Sequence, residues 1–334
     1  MVMVTVRILL LFGILIPYEK IISYFERKIE ADMQARVGPS LTGKFGLLQP
    51  LADYVKLIQK SGRKMLSASE KRWFFLQLMS MFSGLAFIPV GPGFPLVDSQ
   101  LALFLPVIAF FSYGIAGVFF GVQEEELEKT LIAMRRSAQM VVVVVPIVLI
   151  LLSVGIFSKG FSWSVILQKS PRFFIDWRVF SNPVQLVSFF IYFLAGSAWL
   201  SMDTMGSDGS NMEIMGGSSS MFAGAEKILF DFSRFYLKFA WASLASAIFL
   251  GGYHLPQSIA DFLEQSAGSF LVDFVEWIHA LFKVGVILLL GSLFTKISPR
   301  YRADQVTDLA WRVLSPMGLL CVLSAVLWTA GMDH

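Results

Sequence analysis

Eight apolar runs set what this 334-residue chain can fold into. They occupy residues 4–24, 74–90, 101–121, 140–157, 184–202, 228–250, 270–294 and 309–329. Runs of roughly 18 or more apolar residues mark membrane-spanning helices. Backbone polar groups must be satisfied inside lipid, so irregular segments at that depth survive only when buried in protein or lining a cavity. The composition agrees: 56% of residues are hydrophobic and 15% charged, against roughly a quarter charged in soluble domains. The expected fold is therefore all-α integral membrane, with about eight transmembrane helices and an interfacial amphipathic helix after the first. The spans fill most of 1–334, which reads as a single polytopic membrane domain with no room for a soluble catalytic one. The first run lacks a small-residue cleavage site and reads as a retained helix.

Basic residues crowd 27–72 and recur at Lys129, Arg135, Arg136, Lys296, Arg300 and Arg302. With eight spans, the segments 25–73, 122–139, 203–227 and 295–308 fall on one side. The positive-inside tendency makes that side the cytoplasm or the mitochondrial matrix. The outer segment 159–178 also carries several basic residues, against that tendency.

The stretch 26–56, ERKIEADMQARVGPSLTGKFGLLQPLADYVK, mixes charge, Gly and Pro with spaced large apolar residues. Phe45, Leu48, Leu51, Ala52, Val55 and Ile58 have the spacing of one helix face, which predicts a short helix over 45–58 lying in the interface. Gly38-Pro39 and Gly43 punctuate its approach as turns. Residues 203–225 are rich in Gly, Ser and Met. They suit a flexible lining of a ligand route, and equally an ordinary mobile loop. The acidic run Glu124, Glu125, Glu126 and Glu128 reads as a solvated face or docking surface. The 32 Phe and 15 Met read first as packing, although Met also suits a pliable cavity.

Charges inside spans are costly, and are usually paired or functional. Asp231, Arg234 and Lys238 share one face of the sixth span, and Glu276, His279 and Lys283 repeat that spacing on the seventh. Lys283 is the deepest and favours a polar route through the bundle. Glu276 favours a structural role. For Asp231 and Arg234 the two readings stand level. Cys321 is the sole cysteine and the three histidines are scattered, so neither a disulfide nor a metal centre is expected. There is no phosphate loop or nucleophile elbow.

Three segments together resemble the quinone-channel membrane subunit of respiratory complex I, the family of NADH-quinone oxidoreductase subunit 1, which in bacteria is the H subunit. The first carries Glu26-Arg27, Gln34, Arg36, Gly38, Pro39, Gly46, Gln49, Ala52, Asp53 and Lys56, with Ser40 where the family usually has Asn. The second is AMRRSAQ, with Arg135 and Gln139 on the pattern. The third is PRYRADQVTDLAWRVLSP, where Arg302, Asp304, Gln305, Trp311 and Pro316 match and Ala303 replaces the usual Tyr. Lys283 matches the family's lysine in the seventh helix.

The resemblance implies a narrow cavity that admits the ubiquinone tail from the bilayer. The headgroup would be reduced by an iron–sulfur cluster in a peripheral subunit. It implies an enzyme subunit with ubiquinone as substrate and no flavin, iron–sulfur or metal of its own. Its partners would be other complex I membrane subunits, the peripheral quinone-module subunits and lipids, in a hetero-oligomer without nucleic acid. By the same analogy, Glu26, Arg27, Gln34, Arg36, Asp53, Lys56, Arg135, Phe222, Arg302 and Asp304 belong to the quinone channel and inner loops. Glu213, Asp231, Arg234 and Lys283 form the expected proton route. The family's E-G-E-S-E motif falls at 209–213, where only Glu213 survives, and two further family carboxylates fall at Val144 and Arg234. Asp203, Asp208, Glu226 and Asp231 are nearby substitutes; otherwise other subunits rebuild the route, or coupling is weakened.

Two alternatives compete. One is the equivalent subunit of a related membrane-bound hydrogenase; the other is a free-standing secondary transporter, which would predict internal repeats that the chain lacks. The altered glutamate motif points to a fast-changing organellar genome, which favours the mitochondrial inner membrane over a bacterial plasma membrane.

Overall fold

The computed structural model describes residues 2–60, 68–122, 127–167, 176–200, 224–267, 269–298 and 303–332. Glu213, Phe222, Arg302 and Glu124 to Glu126 lie outside them, as does the side chain of Arg135. Among the described residues every regular element is helical.

A helix coincides with each apolar run. These are α1 (Val2–Met33), α3 (Ala68–Ala86), α4 (Leu105–Val122), α5 (Leu127–Phe157), α6 (Pro183–Leu200), α7 (Ala225–Phe249), α9 (Ser269–Ile297) and a final rod. The rod consists of α10 (Ala303–Leu309), a π turn (Ala310–Leu314) and α11 (Ser315–Met332). Between them lie α2 (Gln49–Gln59) and α8 (Gln257–Ala267). Three described stretches are long and apolar enough to cross a membrane: Ala138–Phe157, Leu271–Ile297 and Asp304–Gly331. Leu105–Ala116 and Pro183–Trp199 are shorter apolar helices. The chain is an all-helical membrane protein.

The bundle is centred on α7, which packs against α2, α3, α4, α6 and α9. Its residues 239–249, FAWASLASAIF, are all buried. Their mixture of Ala and Ser with aromatics explains this, because small residues let helix backbones approach where lipid supplies no hydrophobic drive. Gly196 on α6 shows how tight that approach is: a Cβ there would lie 1.7 Å from Nε1 of Trp241. Tyr192 stacks on the Trp241 ring at 5.9 Å and 2°, and its hydroxyl donates to the Trp241 carbonyl at 3.1 Å.

Several boundaries move from those expected. The first helix continues past residue 24 to Met33, so Glu26, Arg27 and Glu30 ride on a helix and not in a loop. Helix α5 begins at Leu127, which puts Arg135 and Gln139 on a helix as well. The interfacial helix begins at Gln49 and not at 45, because Phe45 and Gly46 adopt left-handed φ of 59° and 77°. Helix α8 was not anticipated, since its eleven residues fall short of a span.

Candidate functional site

The best-organised polar region is built where the last turns of α1 meet α2, α7 and α9. Along α1, Glu26 and Glu30 are four residues apart and face one way. Across from them on α9, Ser292 and Lys296 have the same spacing. The Ser292 hydroxyl donates to Glu26 at 2.6 Å, and Lys296 pairs with Glu30 at 3.1 Å. Lys238 of α7 approaches Glu26 at 3.6 Å. These side chains, with Arg27 and Arg234, line a cavity of about 210 Å³. Four basic and two acidic side chains therefore line this cavity.

Helix α2 is fastened to α1 by its polar face. Arg27 pairs with Asp53 at 2.5 Å, and Gln49 donates to Asp53 at 3.4 Å. The Tyr54 hydroxyl donates to Glu19 at 3.2 Å, while the Lys20 ammonium sits 3.2 Å from the Tyr54 ring centroid and 2.6 Å from Glu19. Thr42 bonds to Gln49, and the Tyr24 hydroxyl donates to the Phe45 carbonyl at 2.9 Å. Gly46 is required here, because a Cβ would lie 2.2 Å from the Pro39 carbonyl oxygen. This close approach, with the positive φ, explains the glycine in the first motif.

With its polar face engaged, α2 leaves its apolar residues outward. Leu48, Leu51, Val55 and Ile58 are 53–67% exposed. So large an apolar face calls for a cover of lipid, an apolar ligand or a partner subunit. Next to it, Arg27, Arg36, Gly38, Pro39 and Gln49 line a second cavity of about 420 Å³. Gln34 holds Arg36 by accepting from its Nε at 2.6 Å. Arg27 stands in the walls of both cavities.

The structure therefore gathers Glu26, Arg27, Gln34, Arg36, Asp53 and Arg234 at one end of the bundle. It does not gather the rest. Lys56 is exposed and lines neither cavity. Asp304 is exposed on α10, away from both. Asp231 pairs with Lys227 one turn back at 2.9 Å. Lys283 is 3% exposed and donates to the carbonyls of Leu250 at 2.8 Å and Gly252 at 2.9 Å, with the Trp177 ring at 5.1 Å. Those carbonyls follow the C-terminus of α7, where helix ends leave acceptors without intrahelical donors. Lys283 is thus a cap on a neighbouring helix. Glu276 meets His254 at 3.4 Å, in keeping with its structural reading.

Sequence reasoning passed over Glu30, Ser292 and Lys296. The signal was present in the matched i, i+4 spacing of 26/30 and 292/296, but it became readable only once α1 was known to extend to Met33. Among the described residues, no group of three or more His, Cys, Asp and Glu side chains gathers as a metal site.

Comparison with known proteins bears on what this arrangement belongs to. A family model described as NADH dehydrogenase matches residues 5–326. The H subunit of the NADH-quinone oxidoreductase of Rubrobacter xylanophilus is 30% identical over 306 residues, covering 90% of this chain and 88% of that one. The H subunit of the F(420)H(2) dehydrogenase of Methanosarcina barkeri is 30% identical over 314 residues, covering 91% and 87%. A chain of the membrane-bound sulfane sulfur reductase, an archaeal respiratory membrane complex, shares the fold with a TM-score of 0.79 at 21% identity, over 96% of this chain and 99% of that one. The chain belongs to the NADH dehydrogenase family of membrane subunits, that of NADH-quinone oxidoreductase subunit 1 and its bacterial counterpart, the H subunit.

Proposed function

We propose that this chain is the membrane subunit of a proton-translocating NADH dehydrogenase in which ubiquinone is reduced. It forms the quinone-access channel and passes the consequence of reduction to neighbouring subunits. The observation that carries this reading is the junction at Arg27. An exposed apolar helix face leads to one polar cavity, which shares that guanidinium with a second cavity, lined by charged side chains, inside the bundle.

The isoprenoid tail lies along Leu48, Leu51, Val55 and Ile58. The headgroup carbonyls reach the donors of Arg27, Arg36 and Gln49. Electrons arrive from a cluster in a peripheral partner subunit. Two electrons place negative charge on the quinone oxygens before two protons neutralise it. Negative charge beside Arg27 competes with Asp53 for the guanidinium. A weakened Arg27–Asp53 pair alters the field on Glu26, Lys238 and Arg234, which carries the event into the bundle. The inner proton route then consists of Glu26, Glu30, Arg234 and Lys238, with Glu213 of the 203–227 segment and Asp231 near the start of α7 as its supply. The family membership and the bacterial and archaeal relatives support this reading.

All eight helices that coincide with apolar runs span the membrane in this proposal, with α2 in the interface and the cavities on the basic, inner side. The membrane is an energy-transducing one. The mitochondrial inner membrane remains the organellar option, while the relatives named above favour a bacterial or archaeal plasma membrane. Partners are the other membrane and peripheral subunits of a hetero-oligomeric complex.

The test is steady-state kinetics on the purified assembly with a short-chain ubiquinone. Arg27→Gln and Asp53→Asn are each expected to raise KM for quinone roughly three- to ten-fold while the complex stays assembled, because the pair is half-exposed and contributes little to folding. Unchanged KM and kcat in both variants would place the quinone elsewhere.

A further inference from the structure

At the opposite end of the bundle lies a cavity of about 450 Å³ that the quinone reading does not use. It is walled by the C-terminal ends of α5, α7 and α11, by the start of α6, and by the one-turn helix Arg178–Ser181. In the proposed topology this is the outer membrane boundary. It is also where basic residues run against the positive-inside tendency.

Two groups in this wall lack the partners their chemistry demands. Arg178 donates to the Ser158 hydroxyl and, at 3.0 Å, to the Ile166 carbonyl. Both acceptors are neutral, and among the described residues no carboxylate lies within ion-pair distance of the guanidinium. Burial alone lowers its pKa to about 10. An enclosed cation without a counterion is costly, and an anion from outside relieves it. Gln185 is 1% exposed, and neither Oε1 nor Nε2 of its amide has a hydrogen-bond partner. Gln185 is one of the residues that line this cavity.

The remaining walls select the class of anion. Lys159 adds a second cation, and Asn182 and Ser181 add neutral donors. Asp176 also lies in the wall, so the site opposes a highly charged ligand and suits a singly charged one. Phe157, Val165, Ile248 and Trp328 supply apolar surface beside these groups. We propose that this cavity binds the phosphodiester of an anionic phospholipid from the outer leaflet, with Arg178 as the primary ligand, Gln185 as the second donor, and an acyl chain against the apolar wall. Free phosphate shares the headgroup chemistry but leaves that wall without an occupant.

The test uses the intact assembly in lipid nanodiscs containing phosphatidylglycerol with a photoreactive headgroup. After illumination, adducts are mapped by peptide mass spectrometry. The expected adducts fall on peptides containing Ser158 and Arg178 to Asn182, and a millimolar excess of inorganic phosphate leaves them unchanged. Arg178→Gln is expected to lower that labelling about ten-fold and Arg178→Lys to restore part of it, as loss of one charge-assisted contact predicts. Gln185→Glu keeps the fold's volume while opposing the anion, and is expected to lower labelling similarly even if Arg178→Gln fails to assemble. Absence of adducts at these peptides, or equal labelling in wild type and Gln185→Glu, overturns the site. Loss of the adducts to inorganic phosphate overturns the lipid as its source.

Discussion

The charges at the inner cavity and the buried Lys283 are built on different plans. The inner set, Glu26, Arg27, Glu30, Lys238 and Lys296, pairs side chain to side chain across helices and borders open volume. Its members keep 27–43% of their side-chain surface exposed. Lys283 is sealed at 3% exposure and bonds only backbone carbonyls among its hydrogen bonds. Pairs at a cavity can exchange partners and respond to a ligand; a cation seated on two carbonyls holds helix ends together. Partner type separates the two: titratable side chains beside a cavity for the inner set, backbone carbonyls for Lys283.

The contrast breaks most easily at Lys283. Lys283→Met leaves the Leu250 and Gly252 carbonyls without their donor, at a cost of about 1–3 kcal/mol for each that stays unsatisfied. The expected outcome is a sharp fall in assembled complex on native gels. Normal assembly with abolished proton translocation would return Lys283 to the proton route. Next in size is Gly196→Ala, whose methyl would collide with the Trp241 indole; overpacking of this kind costs about 1–3 kcal/mol. It should lower the thermal midpoint of the complex while leaving the quinone KM of surviving enzyme unchanged.

Gly46→Ala tests the inner region by its backbone. The positive φ and the Pro39 carbonyl together impose about 1–3 kcal/mol of strain, confined to the turn before α2. Its expected signature is a raised quinone KM with near-normal assembly. Smallest in stability is Asp53→Asn, at about 0–1 kcal/mol, since the ion pair it removes is half-exposed. There the change should be kinetic, and a large loss of assembly would contradict the distinction drawn between the inner set and Lys283.

Much of the fold was legible because apolar length and helical period are local properties. Each apolar run became a helix, and the face over 48–58 became α2. The helix start was misjudged at Phe45, where apolar spacing continued into residues whose φ had turned positive. Helix α8 was passed over because an amphipathic segment of eleven residues between spans has no length signal. Of the candidate site, the residue types at Glu26, Arg27, Arg36 and Asp53 stood out in the sequence, and their joining did not, since Arg27 meets Asp53 across 26 positions. The hydrogen bonds of Lys283 were not legible for the same reason: its acceptors are carbonyls 31 and 33 residues away, and a carbonyl leaves no mark in sequence.

The central claim is that quinone occupies the cavity shared by Arg27 and the α2 face. A photoreactive ubiquinone analogue, bound to the purified assembly and mapped by peptide mass spectrometry, tests it directly. The account predicts adducts concentrated on residues 26–58, displaced by excess ubiquinone and reduced in Arg27→Gln. Adducts elsewhere on this chain, or on partner subunits alone, would contradict it.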